Sequence, residues 1–293
     1  MKIYNIGSLN IDYVYQVEHF VRAGETLSSA NMQIFPGGKG LNQSIALARA
    51  GVKTIHGAVC GINSEFLLQT MQESGVDVSG ITKKDYPSGH AIIQVDKSGQ
   101  NCILLFAGTN GLIDREYVED FLKNAESGDI LLMQNEVSCP KVIMEIAYSK
   151  GMQIALNPSP YEENIKGLPL EYVTWWFCNE IEGEALFGGK DEEIAEHFLK
   201  QYPDSNLILT LGEKGSIFIN NKMRICQPIY KTKVVDTTAA GDTFTGYFIA
   251  EVVKGKSIES AMKIASKASS LTVSKQGASE SIPYKNIVEK EIL

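Results

Sequence analysis

Residues 129–160 read DILLMQNEVSCPKVIMEIAYSKGMQIALNPSP, and the order of patterns within this stretch decides the fold class. Residues 129–133 (DILLM) form a short apolar run of the kind a strand buried on both faces requires. Residues 140–150 read as a helix that Gly151 stops. Residues 154–156 are the next strand, closed by an Asn-Pro-Ser-Pro turn at 157–160. Strand, helix, strand is a crossover unit, and it predicts parallel pairing. Moving outward, 173–178 (VTWWFC) reads as another strand, followed by a helix around 180–187. An amphipathic helix follows over 191–202, then a strand at 207–211 (LILTL) closed by Gly212. Two last helices, 242–254 and 257–275, are separated by Gly255. The expected class is α/β, with a mainly parallel central sheet.

Two stretches break this rhythm. Residues 11–35 carry alternating, polar-rich strands without an intervening helix. Residues 90–106 read as a hairpin: HAIIQVD, a turn of Lys97, Ser98, Gly99 and Gln100, then NCILLF. They could pair as a small separate sheet, and such a sheet beside an α/β core suits a lid that excludes water during group transfer. An antiparallel extension of the main sheet stays open on pattern alone. No internal repeat, low-complexity tract or long linker divides the chain, so a single domain over 1–293 is expected.

Composition removes several function classes. With 293 residues, 44% of them hydrophobic, the chain can bury a core without disulfide or metal staples. A net charge of −8 without basic runs disfavours nucleic acid and anionic membranes as partners. Cys60, Cys102, Cys139, Cys178 and Cys226 are scattered singly, and His19, His56, His90 and His197 cluster neither with them nor with each other. A zinc or redox site is therefore not expected, and reduced thiols in the cytoplasm are. MKIYNIGSLNIDYVY enters a strand-like run directly and does not read as a signal peptide. No apolar stretch approaches the roughly 18 residues a membrane helix needs.

The chemistry concentrates in residues 234–244, VVDTTAAGDTF. Val234 and Val235 are read as the close of a strand. Phe244, Phe248, Ile249, Val252 and Val253 then form an apolar stripe at helical spacing. Small residues at a helix mouth leave N–H groups uncovered, and the dipole favours an anion there. Ala239, Ala240 and Gly241 can thus cradle a phosphoryl group. Asp242 at the same mouth can accept a hydroxyl proton, help typically worth about 10²–10⁴ in rate. Capping of the helix by Asp242 alone would produce the same residue choice. A second window, Pro36 to Gln43 (PGGKGLNQ), puts glycines before a helix with Asn42 one turn in. Lys39 is not followed by Ser or Thr, so this is no Walker loop. In the third, Gly7 to Asp12 (GSLNID), Asn10 and Asp12 alternate onto one strand face, which suits sugar hydroxyls and equally a plain exposed edge. No Gly-x-Gly-x-x-Gly opens a first crossover helix, so a Rossmann dehydrogenase is not expected.

PGGKGLNQ near the start and DTTAAGDTF near the end together resemble the two signatures of the ribokinase (PfkB) carbohydrate kinase family, in the right order and over essentially the whole chain. GSLNID, LLMQNE, Asn179 to Glu182 and the Thr210-Leu211-Gly212 turn fall where that family has its counterparts. The resemblance implies a three-layer α/β/α domain with a small β-sheet lid formed by about 11–35 and 90–106. It implies ATP-dependent phosphorylation of a sugar with Asp242 as general base and Ala239, Ala240 and Gly241 as the anion hole. Asn179 and Glu182 match the Asn-x-x-Glu motif that organises Mg²⁺ and phosphate. Thr210, Gly212, Gly215, Ala268 and Ser269 match nucleotide contacts. Asp236, Thr238, Thr272, Lys275, Gly277 and Ser281 match the loop that binds a monovalent cation, K⁺. The chain has Lys275 where ribokinases tend to have Arg, and Tyr247 where they have a smaller residue. Asn10, Asp12, Gly38, Lys39, Asn42 and Glu136 match the sugar ligands, which favours D-ribose phosphorylated at its 5-hydroxyl. Deoxyribose, fructose or a nucleoside is the alternative on the same scaffold, and a non-catalytic sugar-binding protein a more distant one. His90 and Ile92 are expected to touch or cover the sugar, and a homodimer through the lid is implied.

Overall fold

The chain begins with β1 (Ile3–Ile6), β2 (Asn10–Gln16), β3 (Asn31–Gly37), α1 (Lys39–Arg49), β4 (Thr54–Ile62), α2 (Glu65–Glu73) and β5 (Asp77–Pro87). It continues through β6 (Gly89–Val95), β7 (Asn101–Phe106), α3 (Arg115–Phe121), β8 (Ile130–Gln134), α4 (Pro140–Ser149), β9 (Gln153–Asn157), β10 (Val173–Asn179) and α5 (Glu180–Phe187). It closes with α6 (Glu192–Gln201), β11 (Asn206–Thr210), β12 (Ser216–Ile219), β13 (Arg224–Gln227), α7 (Ala240–Val253), α8 (Ile258–Val273) and α9 (Lys285–Ile292). The structure, a computed structural model, describes residues 1–190 and 192–292. Position 191, the expected first residue of the amphipathic helix, and the last residue of the expected domain lie outside them.

Residues 129–160 form the crossover β8–α4–β9, with β8 and β9 parallel. The main sheet has the order β13-β12-β11-β10-β9-β8-β1-β4-β5, parallel from β11 to β5, with β12 and β13 antiparallel at one edge. Its central strands are apolar on both faces because helices cover both. Along β8, Ile130 and Leu132 pack into a core with α1, α7 and α8, while Leu131 and Met133 pack into another with α4 and α6. The result is the three-layer α/β/α arrangement.

Residues 10–37 and 89–106 do form a second sheet, β3-β2-β6-β7, with no strand shared with the first. It is mixed: β2 pairs antiparallel with β3 but parallel with β6, and β6–β7 is the expected hairpin. An extension of the main sheet is thereby excluded. The expected strand ending at Val234 and Val235 does not form. Both are more than half exposed in an irregular segment. The β12–β13 hairpin already fills that sheet edge, and the N–H groups of Val235 and Asp236 donate instead to the Val273 carbonyl at 2.8 and 3.2 Å.

Candidate active site

Gln134, Asn157, Asn179 and Thr210 are the last residues of β8, β9, β10 and β11, so polar side chains collect at the carboxyl ends of parallel strands, where open α/β sheets bind ligands. A cleft of about 1120 Å³ lies between these ends and the small sheet. Two helices enter it at their N-termini: α1 beginning at Lys39 and α7 at Ala240. Their closeness has a packing cause. A Cβ on Gly246 would stand 2.5 Å from the Ala46 Cβ and 2.9 Å from the Leu47 nitrogen, so α7 lies directly on the α1 backbone. Gly40 does the same at the other end of α1, where a Cβ would meet the Gly7 and Ser8 backbone at 2.4 Å.

That contact brings together residues 200 positions apart. Asn42 donates to Asp242 Oδ2 at 3.0 Å and Gln43 to Oδ1 at 2.9 Å. Asp242 is 8% exposed. Ala239, the residue before α7, holds a left-handed conformation (φ 60°), an unusual one for a side chain with a Cβ. It turns the chain so that the first N–H groups of α7, which have no carbonyl one turn back, face the cleft. The Ala240 N–H is the exception, donating to the Thr237 carbonyl over a long 3.3 Å. At Gly241 the space is open, with no atom within 4 Å of where a Cβ would be. The geometry provides a carboxylate beside an electropositive helix mouth.

On the opposite wall Asn10, Asp12, Gly38, Lys39 and Glu136 line the same cleft. Asn10 Oδ1 accepts from Asn110 Nδ2 at 2.7 Å, and Asn110 Oδ1 in turn accepts from the Leu9 N–H. Glu136 accepts from the Ser8 hydroxyl and from the Lys39 N–H at 3.0 Å. Burial opposes the charge on the Lys39 ammonium, but the carboxylates of Asp242, Glu136 and Glu182 outweigh it and hold its pKa above the usual value. Burial also raises the Glu136 carboxyl, against the opposing pull of Lys39. Asp12 is pushed up to about 7, by burial first and then by the nearby Glu136 charge. Asp12 is thus poised to lose its proton near neutrality.

The sign of the resulting pH effect follows. Between the unfolded value of about 3.8 and the folded value of about 7, the folded state binds the extra proton, so Asp12 makes stability fall as pH rises through that window. A ligand hydroxyl that donates to the carboxylate favours the ionised form. For the sugar that the resemblance implies, held by Asp12, affinity is expected to rise with pH from about 6 to 8 and then level off, and Asp12→Asn to bind more weakly with a flat profile. A wild-type sugar KM that does not change across this range would separate Asp12 from the sugar.

The far end of the cleft is lined by Asn179, Glu182, Thr210, Asp236, Thr238, Ala239 and Gly277, among others. Asn179 and Glu182 form a capping box on α5: the Glu182 N–H donates to Asn179 Oδ1 at 2.9 Å, and the Asn179 N–H to Glu182 Oε2 at 3.0 Å. The pair therefore starts the helix and still presents the other Glu182 oxygen. No group of three or more His, Cys, Asp or Glu that could hold a metal exists among the described residues. A cation at Glu182 would be held by one carboxylate, with phosphate and water completing its shell, a donor set that fits Mg²⁺. Asp236 draws its loop together: Oδ1 accepts from the Thr238 N–H and hydroxyl at 2.9 and 2.7 Å, and Oδ2 from the Gly277 N–H at 3.0 Å. Burial alone would raise this carboxyl, and those donors hold it below its usual range.

Other expected site residues lie off the cleft. Ala268 and Thr272 are fully buried between α7 and α8, where the Thr272 and Thr243 hydroxyls meet at 3.0 Å. Ser269 donates to the Ala240 carbonyl at 3.0 Å, behind the helix mouth. Ser281 is buried on the Ala278 carbonyl, while Lys275 is exposed. Gly212 and Gly215 bound the turn between β11 and β12. Tyr247 packs away from the cleft, its hydroxyl on the Pro283 carbonyl at 2.7 Å.

His90 and Ile92 require correction. β2 and β6 are in register with Asp12 opposite Ala91 and Ile11 opposite His90, so Ala91 and Ile93 share the cleft face with Asp12. His90 and Ile92 stand on the other face, His90 between Tyr13 and Phe106. The hairpin was legible, but its face was displaced by one residue. Sequence reasoning also passed over Gln43, Asn110 and Asn157. Gln43 was in view beside Asn42, yet adjacent helix positions point about 100° apart, and only the α1–α7 contact gives both a place on Asp242.

Comparison with known proteins shows the family of the chain. The profile of the pfkB family carbohydrate kinases matches residues 2–285. The chain is 35% identical over 292 residues to a ribokinase of Haemophilus influenzae, covering 95% of this chain and 94% of that one. Among solved structures, a ribokinase from Cryptococcus neoformans var. grubii in complex with ADP superposes with TM-score 0.86 at 32% identity, covering 99% of both chains. An Arabidopsis thaliana ribokinase complexed with ribose and ATP gives 0.89 at 28% identity, covering 99% of this chain and 98% of that one. Two unrelated sequence signatures that meet at one buried carboxylate, on a scaffold shared from end to end, place this chain in the pfkB family of carbohydrate kinases.

Proposed function

We propose that this chain transfers the γ-phosphoryl group of ATP to the primary 5-hydroxyl of D-ribose, yielding D-ribose 5-phosphate and ADP. The observation that carries the reading is the buried Asp242 carboxylate at the mouth of α7, in one cleft with Asn10, Asp12, Lys39 and Glu136. Short polar side chains on that wall match the hydroxyls of a small furanose. The ribose and ATP of the Arabidopsis relative support this pairing of substrates.

In the proposed step Asp242 takes the hydroxyl proton as the sugar oxygen bonds to the γ-phosphorus, and the bond from that phosphorus to the bridging oxygen of ADP breaks. The N–H groups of α7 near Gly241 stabilise the charge on the moving phosphoryl group. Lys39 holds its positive charge close by. Mg²⁺ bound with ATP would neutralise phosphate charge, with Glu182 and Asn179 as its nearest protein groups. A K⁺ ion in the Asp236 loop would brace the backbone that leads into Ala239. Thr210 is the nucleotide-side residue that lines the cleft, and Ser269 steadies the α7 mouth from behind through the Ala240 carbonyl. The small sheet is the lid over the sugar, with Val14, Phe35, Ala91, Ile93 and Leu105 as its inner lining.

The outer face of that sheet leaves Ile34, Ile92, Leu104 and Phe106 exposed, which favours a homodimer formed by covering it. A sedimentation mass that stays at 32.1 kDa at assay concentrations would refute that pairing. No helix among the described residues is long and apolar enough to cross a membrane; a cytoplasmic location fits the proposed substrates.

The test is ADP release with Mg·ATP across ribose, deoxyribose, fructose and adenosine, each with K⁺ and with Na⁺. Turnover with ribose well above the others is expected, and faster in K⁺. Turnover confined to another substrate would move the sugar assignment, and equal rates in both salts would remove the cation from the Asp236 loop.

A further inference from the structure

Beneath the cleft a chain of buried side chains links Asp242 to the centre of the main sheet. Gln43 Nε2, which donates to Asp242 Oδ1, also donates to Asn157 Oδ1 at 3.1 Å. Gln43 Oε1 accepts from Gln134 Nε2 at 2.7 Å. Gln134 Nε2 also donates to Asn5 Oδ1 at 3.1 Å, and Asn5 Nδ2 donates to the Gly40 carbonyl and the Ser44 hydroxyl at 2.9 and 2.8 Å. The Ser44 hydroxyl is also hydrogen-bonded to His56 Nδ1 at 2.8 Å. Burial drives the His56 pKa down to about 3, so the ring stays neutral. Asn5, Gln43, Ser44 and His56 are fully buried and Gln134 nearly so.

Each amide in this chain has one possible orientation. Turning Gln134 over would set its oxygen against the oxygens of both Gln43 and Asn5. Turning Gln43 over would set its oxygen against Asp242 and Asn157 and its N–H groups against those of Gln134. Unmade bonds of this kind cost about 1–3 kcal/mol each when buried. Asn42 differs. Its Oδ1, like Gln134 Oε1, is buried without a hydrogen-bond partner among the described residues. Whereas Gln134 Nε2 donates to two acceptors, the side-chain bond of Asn42 is the single one from Nδ2 to Asp242 Oδ2.

We infer that Gln43 is a positioning residue for Asp242: it keeps Oδ1 permanently engaged and turns Oδ2, from which Asn42 can withdraw, toward the hydroxyl that gives up its proton. The inference rests on the reading of Asp242 as the general base. Gln43 neither gains nor loses a proton. It fixes the carboxylate plane and restricts the base to one oxygen, through an amide held by Gln134 and Asn5 outside the cleft. A base misplaced by about 1 Å can lose on the order of 10² in rate, so a buried lock has a clear use.

The test is a double-mutant cycle of Gln43→Met and Asp242→Ala in the full chain, read by kcat and KM for ribose and ATP. Gln43→Met is expected to lower kcat by about 10–100-fold, with both KM values within about twofold of wild type. In the Asp242→Ala background the same change should alter the residual rate by less than about twofold, because Gln43 acts only through that carboxylate. A wild-type kcat in Gln43→Met, or an equal loss in both backgrounds, overturns the inference. If Gln43→Met does not fold, Gln134→Met frees the same amide and should show the same pattern with a smaller loss; wild-type kcat there overturns it as well. Asp242→Ala that retains full turnover would instead bring down the general-base reading, and the positioning role with it.

Discussion

Asp242→Asn is expected to lower turnover by at least about 10² while leaving sugar and ATP binding nearly intact. The substitution keeps shape and one acceptor oxygen, so Asn42 or Gln43 still has a partner. The other contact becomes N–H against N–H, and the anion in the first turn of α7 is lost. Those structural costs together are on the order of 1–3 kcal/mol of stability. The larger effect is chemical, since an amide cannot take the hydroxyl proton. A single-turnover measurement of phosphoryl transfer, with ADP binding as the folding control, separates the two roles. A residue that only capped α7 would lower Tm and leave the folded fraction fully active, and that result would end the case for Asp242 as the base.

The second large effect is expected from a position that touches no substrate. Gly246→Ala should destabilise the protein by about 1–3 kcal/mol and cost about 10–100-fold in turnover. On helix propensity alone the change should stabilise, because alanine is better than glycine in a helix interior by about 1 kcal/mol. The sign reverses because the new methyl group would stand 2.5 Å from Ala46 Cβ and 2.9 Å from the Leu47 nitrogen. A backbone cannot swing aside as a flexible side chain can, so α7 must move off α1. Asn42 and Gln43 lie one turn before Ala46, and Asp242 one turn before Gly246. Separation at the crossing therefore lengthens the 3.0 and 2.9 Å bonds that hold the carboxylate. Thermal unfolding together with kcat tests this: a variant more stable than wild type and fully active would show that the crossing has slack.

Taken together, these expectations locate the site in two helix mouths and one contact between them. In the proposed mechanism Asp242 is the base, the α7 N–H groups are the donors for an anion, and the Asn42 and Gln43 amides of α1 hold the carboxylate. The Asn179–Glu182 pair combines duties, since the bonds that start α5 also set a carboxylate at the rim of the cleft. The small sheet is two-faced: Asp12, Val14, Ala91 and Ile93 line the cleft, while Ile34, Ile92, Leu104 and Phe106 on its other face are apolar and exposed.

Much of this was legible from residue order. Short apolar runs separated by helical periods require parallel strands covered on both faces, and residues 129–160 behave so. The small residues before Asp242 and the glycines before Asn42 do precede helices, although a Gly-Gly-Lys-Gly run by itself marks a plain turn more often. What local pattern cannot carry is the choice between equivalent faces and the distance between remote segments. A period of two says that His90 and Ala91 face opposite ways, but not which of them faces the cleft; the register of β6 on β2 decides that. Val234 and Val235 have the composition of a strand, yet the β12–β13 hairpin had already filled the edge. The sequence by itself determined the order of strands and helices from 129 to 211 and the two helix mouths, with Asp242 in the first turn of one of them. The tertiary structure alone decided that Gln43 shares Asp242 with Asn42, because that pairing depends on two helices meeting without a side chain between them, a contact set by packing across about 200 residues of chain.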